Sequence, residues 1–271
     1  MVISGQPAEG VGSLFFELAG DLRLSMLARL GEKDCRLSQL ASELDATMQE
    51  AHRNMTRLIE SGLVYKGREG ELVLTSYGRT VVSLVPSYDF LYKNKEFFAD
   101  HSLGDLPLKF VQRLGALGGC ETVHGVMAIL QRWKSLYNDS GEFIREIMAQ
   151  VPLDLIETIF GRVEKGVRFS YIFSANAVVP KGRTQLLQKV GWRNLISKGL
   201  VERRMLAEVK VMAIFNEKQG CVMFPNQKGE PDLNVMFYGE TSEFLEWCSD
   251  FFDHRWKMAD PFDEGKLKHE V

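Results

Sequence analysis

The segment LGALGGCE, residues 114–121, is the first place where residue types and spacing could support catalysis. A glycine-rich loop that leaves a strand and opens a helix can seat a phosphate or S-adenosylmethionine against free backbone N–H groups. Here the glycines follow LPLKFVQR, which reads as helix, and no β-rich run with an acidic end comes next. The spacing therefore predicts a turn between helices rather than a cofactor loop. The five histidines (52, 101, 124, 254 and 269) form no H-E-x-x-H, and neither G-x-S-x-G nor a phosphate-binding G-x-x-x-x-G-K-[ST] loop occurs. Cys35, Cys120, Cys221 and Cys248 are far apart, with no C-x-x-C and no histidines at zinc spacing. They read as reduced, mostly buried thiols of a cytoplasmic protein. No metal or cofactor is expected, and the chemistry on offer is binding, not catalysis.

A second set of residues points to nucleic acid. In ATMQEAHRNMTRLIESG, Ala51, Met55, Leu58 and Ile59 recur at the spacing of one helical face. Gln49, Arg53 and Thr56 fall opposite, with His52 and Arg57 on the flanks. Such side chains can reach base edges, and arginine can bond guanine through two parallel hydrogen bonds. Downstream, LVYKGR and ELVLTS bracket EG as a two-stranded hairpin, with Lys66 and Arg68 placed to touch phosphate. Gln49, His52, Arg53, Thr56, Arg57, Lys66 and Arg68 are thus the candidate DNA-contacting residues.

The elements that must position them follow in order. Residues 13–31 read as one helix with leucines on one face, and RLSQLASELD as a second, short helix. The third opens with Thr47 and Glu50 at capping-box spacing and stops at Gly62. Helix, helix, turn, helix and hairpin within about 65 residues is the order of a winged helix-turn-helix. Charge gives this reading little help. Residues 1–86 hold nine Lys/Arg against eleven Asp/Glu, and only segment 52–79 turns positive, with five against three. A DNA reader ordinarily shows a basic footprint, so a protein-interaction or dimerisation module remains an alternative.

After the hairpin the chain reads as mostly helical. Pro86 and Pro107 suit the first turns of new helices. Val82, Val85, Tyr88, Leu91, Lys95 and Phe98 form a mainly apolar stripe suited to pairing with a second copy. From residue 167 short β-rich runs take over: VRFSYIF, VKVMAIF, GCVMFP and LNVMFYG, the middle two joined as a hairpin by NEKQG. One helix, TQLLQKVGWRNLISKG, precedes that hairpin. Another, ETSEFLEWCSDFFDHRWKM, follows, acidic at its start and basic at its end as the helix dipole favours. The fold class is α+β: a winged helix-turn-helix over 1–85, a helical linking and dimerisation segment over 86–165, an α/β sensor-like domain over 166–262, and a frayed tail over 263–271. The 271 residues are 45% hydrophobic and 25% charged, ordinary for a soluble chain, and no apolar run approaches membrane-spanning length.

LSQLASELDATMQEAHRNMTRLIESGLVYKGREGELVLTSYGR resembles the winged-helix regulators of archaea, with Leu58, Gly62, Leu63, Val64, Leu74, Thr75, Gly78 and Arg79 on their recurring pattern. Val73 stands where an aromatic is more usual. FADHSLGDLPLKFVQRLGAL, FSYIFSANAVVPKG and FYGETSEFLEWCSDFFDHRWKMADPF extend the resemblance over nearly the whole chain. They are similar to the archaeal filamentation and methanogenesis regulator family, in which a winged helix precedes an effector domain. A weaker likeness links the C-terminal unit to the sugar-sensing domain of archaeal maltose-type regulators, built on a phospholipase-D-like scaffold. The catalysis of that scaffold needs a lysine two residues after a histidine, and no histidine here has one. The resemblance implies a dimeric regulator that binds double-stranded DNA, with a small molecule or partner protein received by the second domain. His101, Arg113, Tyr171, Arg204 and Tyr238, polar residues beside apolar runs, are the candidates for an effector pocket, and His101 could also report pH. A winged-helix-fused methyltransferase is the alternative, marked by a parallel sheet with LGALGG at a strand end.

Overall fold

The computed structural model describes residues 9–150 and 153–269. The chain divides into two compact units, Met1–Pro86 and Ser87–Val271. No helix among the described residues is long and apolar enough to cross a membrane.

The first unit contains α1 (Glu9–Leu18), α2 (Asp21–Glu32), α3 (Leu37–Glu43), α4 (Met48–Glu60), β1 (Val64–Lys66), β2 (Leu72–Leu74) and the start of α5 (Ser76–Lys93). The helix expected over 13–31 is two helices. Gly20 adopts extended backbone, and the Arg23 guanidinium folds over it to donate to Phe16 O at 2.8 Å and Glu17 O at 2.7 Å. The orphan carbonyls at the end of α1 are thereby satisfied. Thr47 and Glu50 form the anticipated capping box at the start of α4. Ala51, Met55 and Leu58 are buried against Met26, Leu27 and Leu30 of α2 and Leu40 and Ala41 of α3. Ile59, expected on the same stripe, is 39% exposed. Eight residues on from Ala51, it has rotated about 80° off the buried line.

Gly62, at φ +74°, ends α4 and turns the chain into the hairpin. Val64, Tyr65 and Lys66 of β1 pair with Leu74, Val73 and Leu72 of β2, and Leu72 N donates to Cys35 O, which bridges a third segment to the hairpin. This is a winged helix-turn-helix. The step into α5 fixes Gly78: Thr75 Oγ1 accepts from its N–H at 2.8 Å, and a Cβ there would lie 2.0 Å from Leu63 O. Pro86 sits inside α5 rather than opening a new helix. A mid-helix proline forfeits one backbone bond, and the division between the units falls at this residue.

The second unit runs on through α6 (Phe97–Asp100), α7 (Leu108–Val111), a 3-10 turn over Leu114–Leu117, β3 (Glu121–His124), α8 (Val126–Asp139), β4 (Phe143–Met148) and α9 (Leu153–Val163). Then come β5 (Arg168–Ser174), β6 (Val178–Val179), α10 (Arg183–Lys189), α11 (Trp192–Ser197), β7 (Val201–Leu206), β8 (Met212–Asn216), β9 (Gly220–Met223) and β10 (Val235–Gly239). It closes with α12 (Ser242–Met258), β11 (Asp260–Pro261), a 3-10 turn over Glu264–Lys266 and β12 (Lys268–His269). Among the described residues eight strands form one mixed sheet in the order β11-β7-β5-β4-β8-β9-β10-β3. The neighbours β4 and β5, and β5 and β7, pair in parallel, and the other neighbours in it pair antiparallel. Residues on β4 alternate between two covered faces: Arg145 turns to Asp253 of α12, while Glu146 turns to Trp133 of α8.

Segment 86–165 is not a helical linker, because β3 and β4 lie within it and build the sheet with the later strands. The helix over TQLLQKVGWRNLISKG is broken at Gly191, which has φ +70°, into α10 and α11. The tail is ordered through residue 269: β12 pairs in parallel with β6, and Leu267 is buried.

Candidate nucleic-acid interface

The buried face of α4 leaves its opposite face clear. Gln49, His52, Arg53 and Thr56 are all exposed. The Thr56 hydroxyl donates back to His52 O at 2.9 Å, a bond that uses its hydrogen and neither of its lone pairs. Arg57 departs from this set. Its guanidinium donates to both carboxylate oxygens of Glu17 on α1, at 2.6 and 3.0 Å, and lies 4.9 Å from the Phe16 ring centroid. The paired guanidinium holds the Glu17 carboxyl below the usual range. Arg57 therefore ties α4 to α1 instead of facing outward, a role invisible while 13–31 read as a single helix. Lys66 and Arg68 are exposed on the wing. The wing turn closes through Gly67 N to Glu71 O at 2.7 Å and through Gly70, at φ +85°. Asn54 was missed by the sequence reading. It accepts from Arg23 at 3.1 Å and so couples α4 to the α1–α2 break.

The five residues expected in an effector pocket do not converge. His101 is held by Asp232 at 2.9 Å and Asp100 at 2.6 Å and stacks on Phe97. Burial disfavours its charged form, but the two carboxylates outweigh that and raise its pKa. Arg113 pairs with Glu246 and Asp250 of α12, and Arg204 donates to Trp256 O and Ala259 O. The Tyr238 hydroxyl sits 2.7 Å from Gln219 Oε1 and 2.6 Å from Glu240 Oε1. Each of these four staples one part of the second unit to another. Tyr171 alone lines an interior cavity.

That cavity contains the residue the sequence reading passed over. Glu146 is fully buried in the middle of the sheet, directly opposite Tyr171 on β5. Trp133 Nε1 donates to its Oε1 at 3.2 Å, and Tyr137 lies close enough to favour the charged form of the same carboxyl group. Burial pushes its pKa up to about 7. The glycines of LGALGG occupy a 3-10 turn that leads into the edge strand β3, so they precede a strand instead of following one. No group of three or more His, Cys, Asp or Glu among the described residues could hold a metal ion. Cys35, Cys221 and Cys248 are buried free thiols, and burial raises the Cys120 thiol to about 11.

No protein-family model and no curated protein matches the chain. Among solved structures it is similar to TrmBL2, an archaeal chromatin protein, at 12% identity over 95% of this chain and all of that one, with a TM-score of 0.43. It is similar also to the homodimeric winged helix-turn-helix DNA-binding domain Mb0332 from Mycobacterium bovis, at 20% identity over 34% of this chain and 95% of that one, TM-score 0.30. A third likeness is to the phospholipase D family member Nuc from Salmonella typhimurium, at 11% identity over 54% of this chain and 99% of that one, TM-score 0.40. The winged-helix assignment rests on the chain's own topology: the packed helices α2, α3 and α4, the last capped by Thr47 and Glu50, and the paired wing.

Proposed function

We propose that the protein is a DNA-binding transcriptional regulator of the archaeal filamentation and methanogenesis type, whose second unit receives an effector. The observation that carries this reading is α4. One face is locked into the core by Ala51, Met55 and Leu58, and the other presents Gln49, His52, Arg53 and Thr56 beside a wing on which Lys66 and Arg68 are exposed. That is the arrangement in which a helix enters a major groove while a hairpin touches phosphate. Binding, not catalysis, is the proposed role of both units. Such readers act on paired half-sites. The surface we assign to a second copy is the exposed pair Tyr77 and Leu84 on the first-unit part of α5, 49% and 48% exposed. It replaces the stripe read from sequence, because Val82, Leu91 and Phe98 pack onto the cores of their own units.

The test is Arg53→Ala on a duplex selected by footprinting the purified protein on genomic DNA. Loss of a bidentate base contact costs about 1–3 kcal/mol on the selected site, with thermal stability little changed because Arg53 is exposed. Equal weakening on selected and random duplexes would reduce Arg53 to a phosphate contact. No protection of any sequence would remove the regulator reading itself.

A further inference from the structure

Three buried side-chain nitrogen or oxygen atoms among the described residues have no hydrogen-bond partner, and two of the residues that carry them, Glu146 (Oε2) and Trp192 (Nε1), line one cavity. Leaving such groups unpaired in a low-dielectric interior costs about 1–3 kcal/mol each, so their meeting in one cavity marks a place where a ligand gains. The floor is the sheet, with Phe169, Tyr171 and Phe173 projecting from one side of β5 next to Glu146 on β4. Helix α8 adds Trp133 and Tyr137. The cavity is about 50 Å³, room for the equivalent of roughly four waters. Arg183, Leu187 and Trp192 also line an outer cleft of about 520 Å³, so they form the partition between the two spaces.

Charge narrows the ligand. Arg183 and Arg203 share the single carboxylate of Glu264, at 3.4 and 2.5 Å, which leaves excess positive charge at the mouth against an organic cation. Glu146 inside opposes an anion. A sugar ring brings more hydroxyls than the two unpaired groups can satisfy, and every one left over would be buried without a partner. What remains is neutral and flat, with one donor and one acceptor, matched to aromatic walls. We propose that the second unit binds a neutral nitrogen heterocycle by its azole-sized edge, the ring N–H donating to Glu146 Oε2 and a ring nitrogen accepting from Trp192 Nε1. Any larger substituents occupy the outer cleft. This deepens the effector half of the regulator reading and rests on it.

Binding is measured on the full chain without DNA, so that this site and the DNA reading fail separately. Imidazole and pyrazole are titrated at pH 8, where both are neutral, with melting temperature and tryptophan fluorescence as readouts. Both azoles raise the melting temperature saturably. 1-Methylimidazole, which has lost the N–H, binds about tenfold more weakly, the equivalent of one hydrogen bond. Glu146→Gln and Trp192→Phe, with folding verified by circular dichroism, each weaken pyrazole by a similar factor. Trp192→Phe keeps the aromatic wall and removes only the N–H, so it decides the matter even where Glu146→Gln alters folding. No saturable response to either azole would overturn the proposal. So would retention of full affinity in both variants, or a Glu146-dependent response to methylammonium or glucose as strong as that to pyrazole.

Discussion

Glu146→Gln should make the second unit more stable at alkaline pH and leave it almost unchanged at pH 4. A carboxyl whose pKa is near 4.5 in the unfolded chain and about 7 when folded keeps a proton in the native state that the unfolded chain has already released. Stability therefore falls as pH rises, beginning near 4.5 and levelling off above 7. A gap of roughly 2.5 units at 1.36 kcal/mol per unit comes to about 3 kcal/mol of stability lost by pH 8.5. Glutamine matches the shape of the protonated acid, keeps an oxygen for the Trp133 N–H, and does not titrate. The difference between variant and wild type should accordingly grow from near zero to about 3 kcal/mol, or about 6–12 °C in melting temperature for a unit of this size. All four tryptophans (133, 192, 247 and 256) belong to the second unit, so urea unfolding followed by their fluorescence reads that unit alone. The groups facing the carboxyl are Trp133 and Tyr137 from α8, Tyr171 from β5, Arg183 from α10, Trp192 from α11 and, through its electrostatic coupling, Cys221 from β9. If Arg183 neutralises the charge, the difference stays flat from pH 5 to 8.5. That result would refute the argument that burial dominates at this site.

Replacing Lys66 and Arg68 together should weaken binding to all duplexes alike and flatten the log-affinity against log-salt slope by about two, roughly one per phosphate contact; an unchanged slope would show that the hairpin is not a DNA wing. Leu84→Glu should convert a dimer to a monomer in sedimentation at micromolar concentration, whereas a wild type already monomeric there excludes the α5 surface as a dimer contact. Gly78→Ala should destabilise the first unit by about 1–3 kcal/mol, the usual range for a clash with fixed packing, because the new Cβ meets the Leu63 carbonyl and not a movable side chain. Unfolding of the isolated winged helix by circular dichroism reads that loss, and a neutral result would mean that the step from wing to α5 is pliant.

The winged helix was legible from sequence because its determinants are local. The capping box at Thr47 and Glu50, the three buried positions of α4, the stop at Gly62 and the wing turn each span a few residues, and the structure places all of them as read. Strands β5, β8, β9 and β10 were legible for a related reason, being continuous apolar runs of a sheet covered on both faces. Strand β4 was not, since FIREIM carries Arg145 and Glu146 and a charged pair reads as surface. Only the tertiary structure decides otherwise: Arg145 reaches Asp253 some hundred residues away, and Glu146 is buried by partners from α8 and β5. The same limit removed Arg57 from the groove face, where Glu17 claims it across 40 residues, and scattered the five polar residues picked for a pocket. Side-chain period reports which face of an element is buried. It carries no information about which distant element covers that face, and in the second unit that choice brings Glu146 and Trp192 to one cavity.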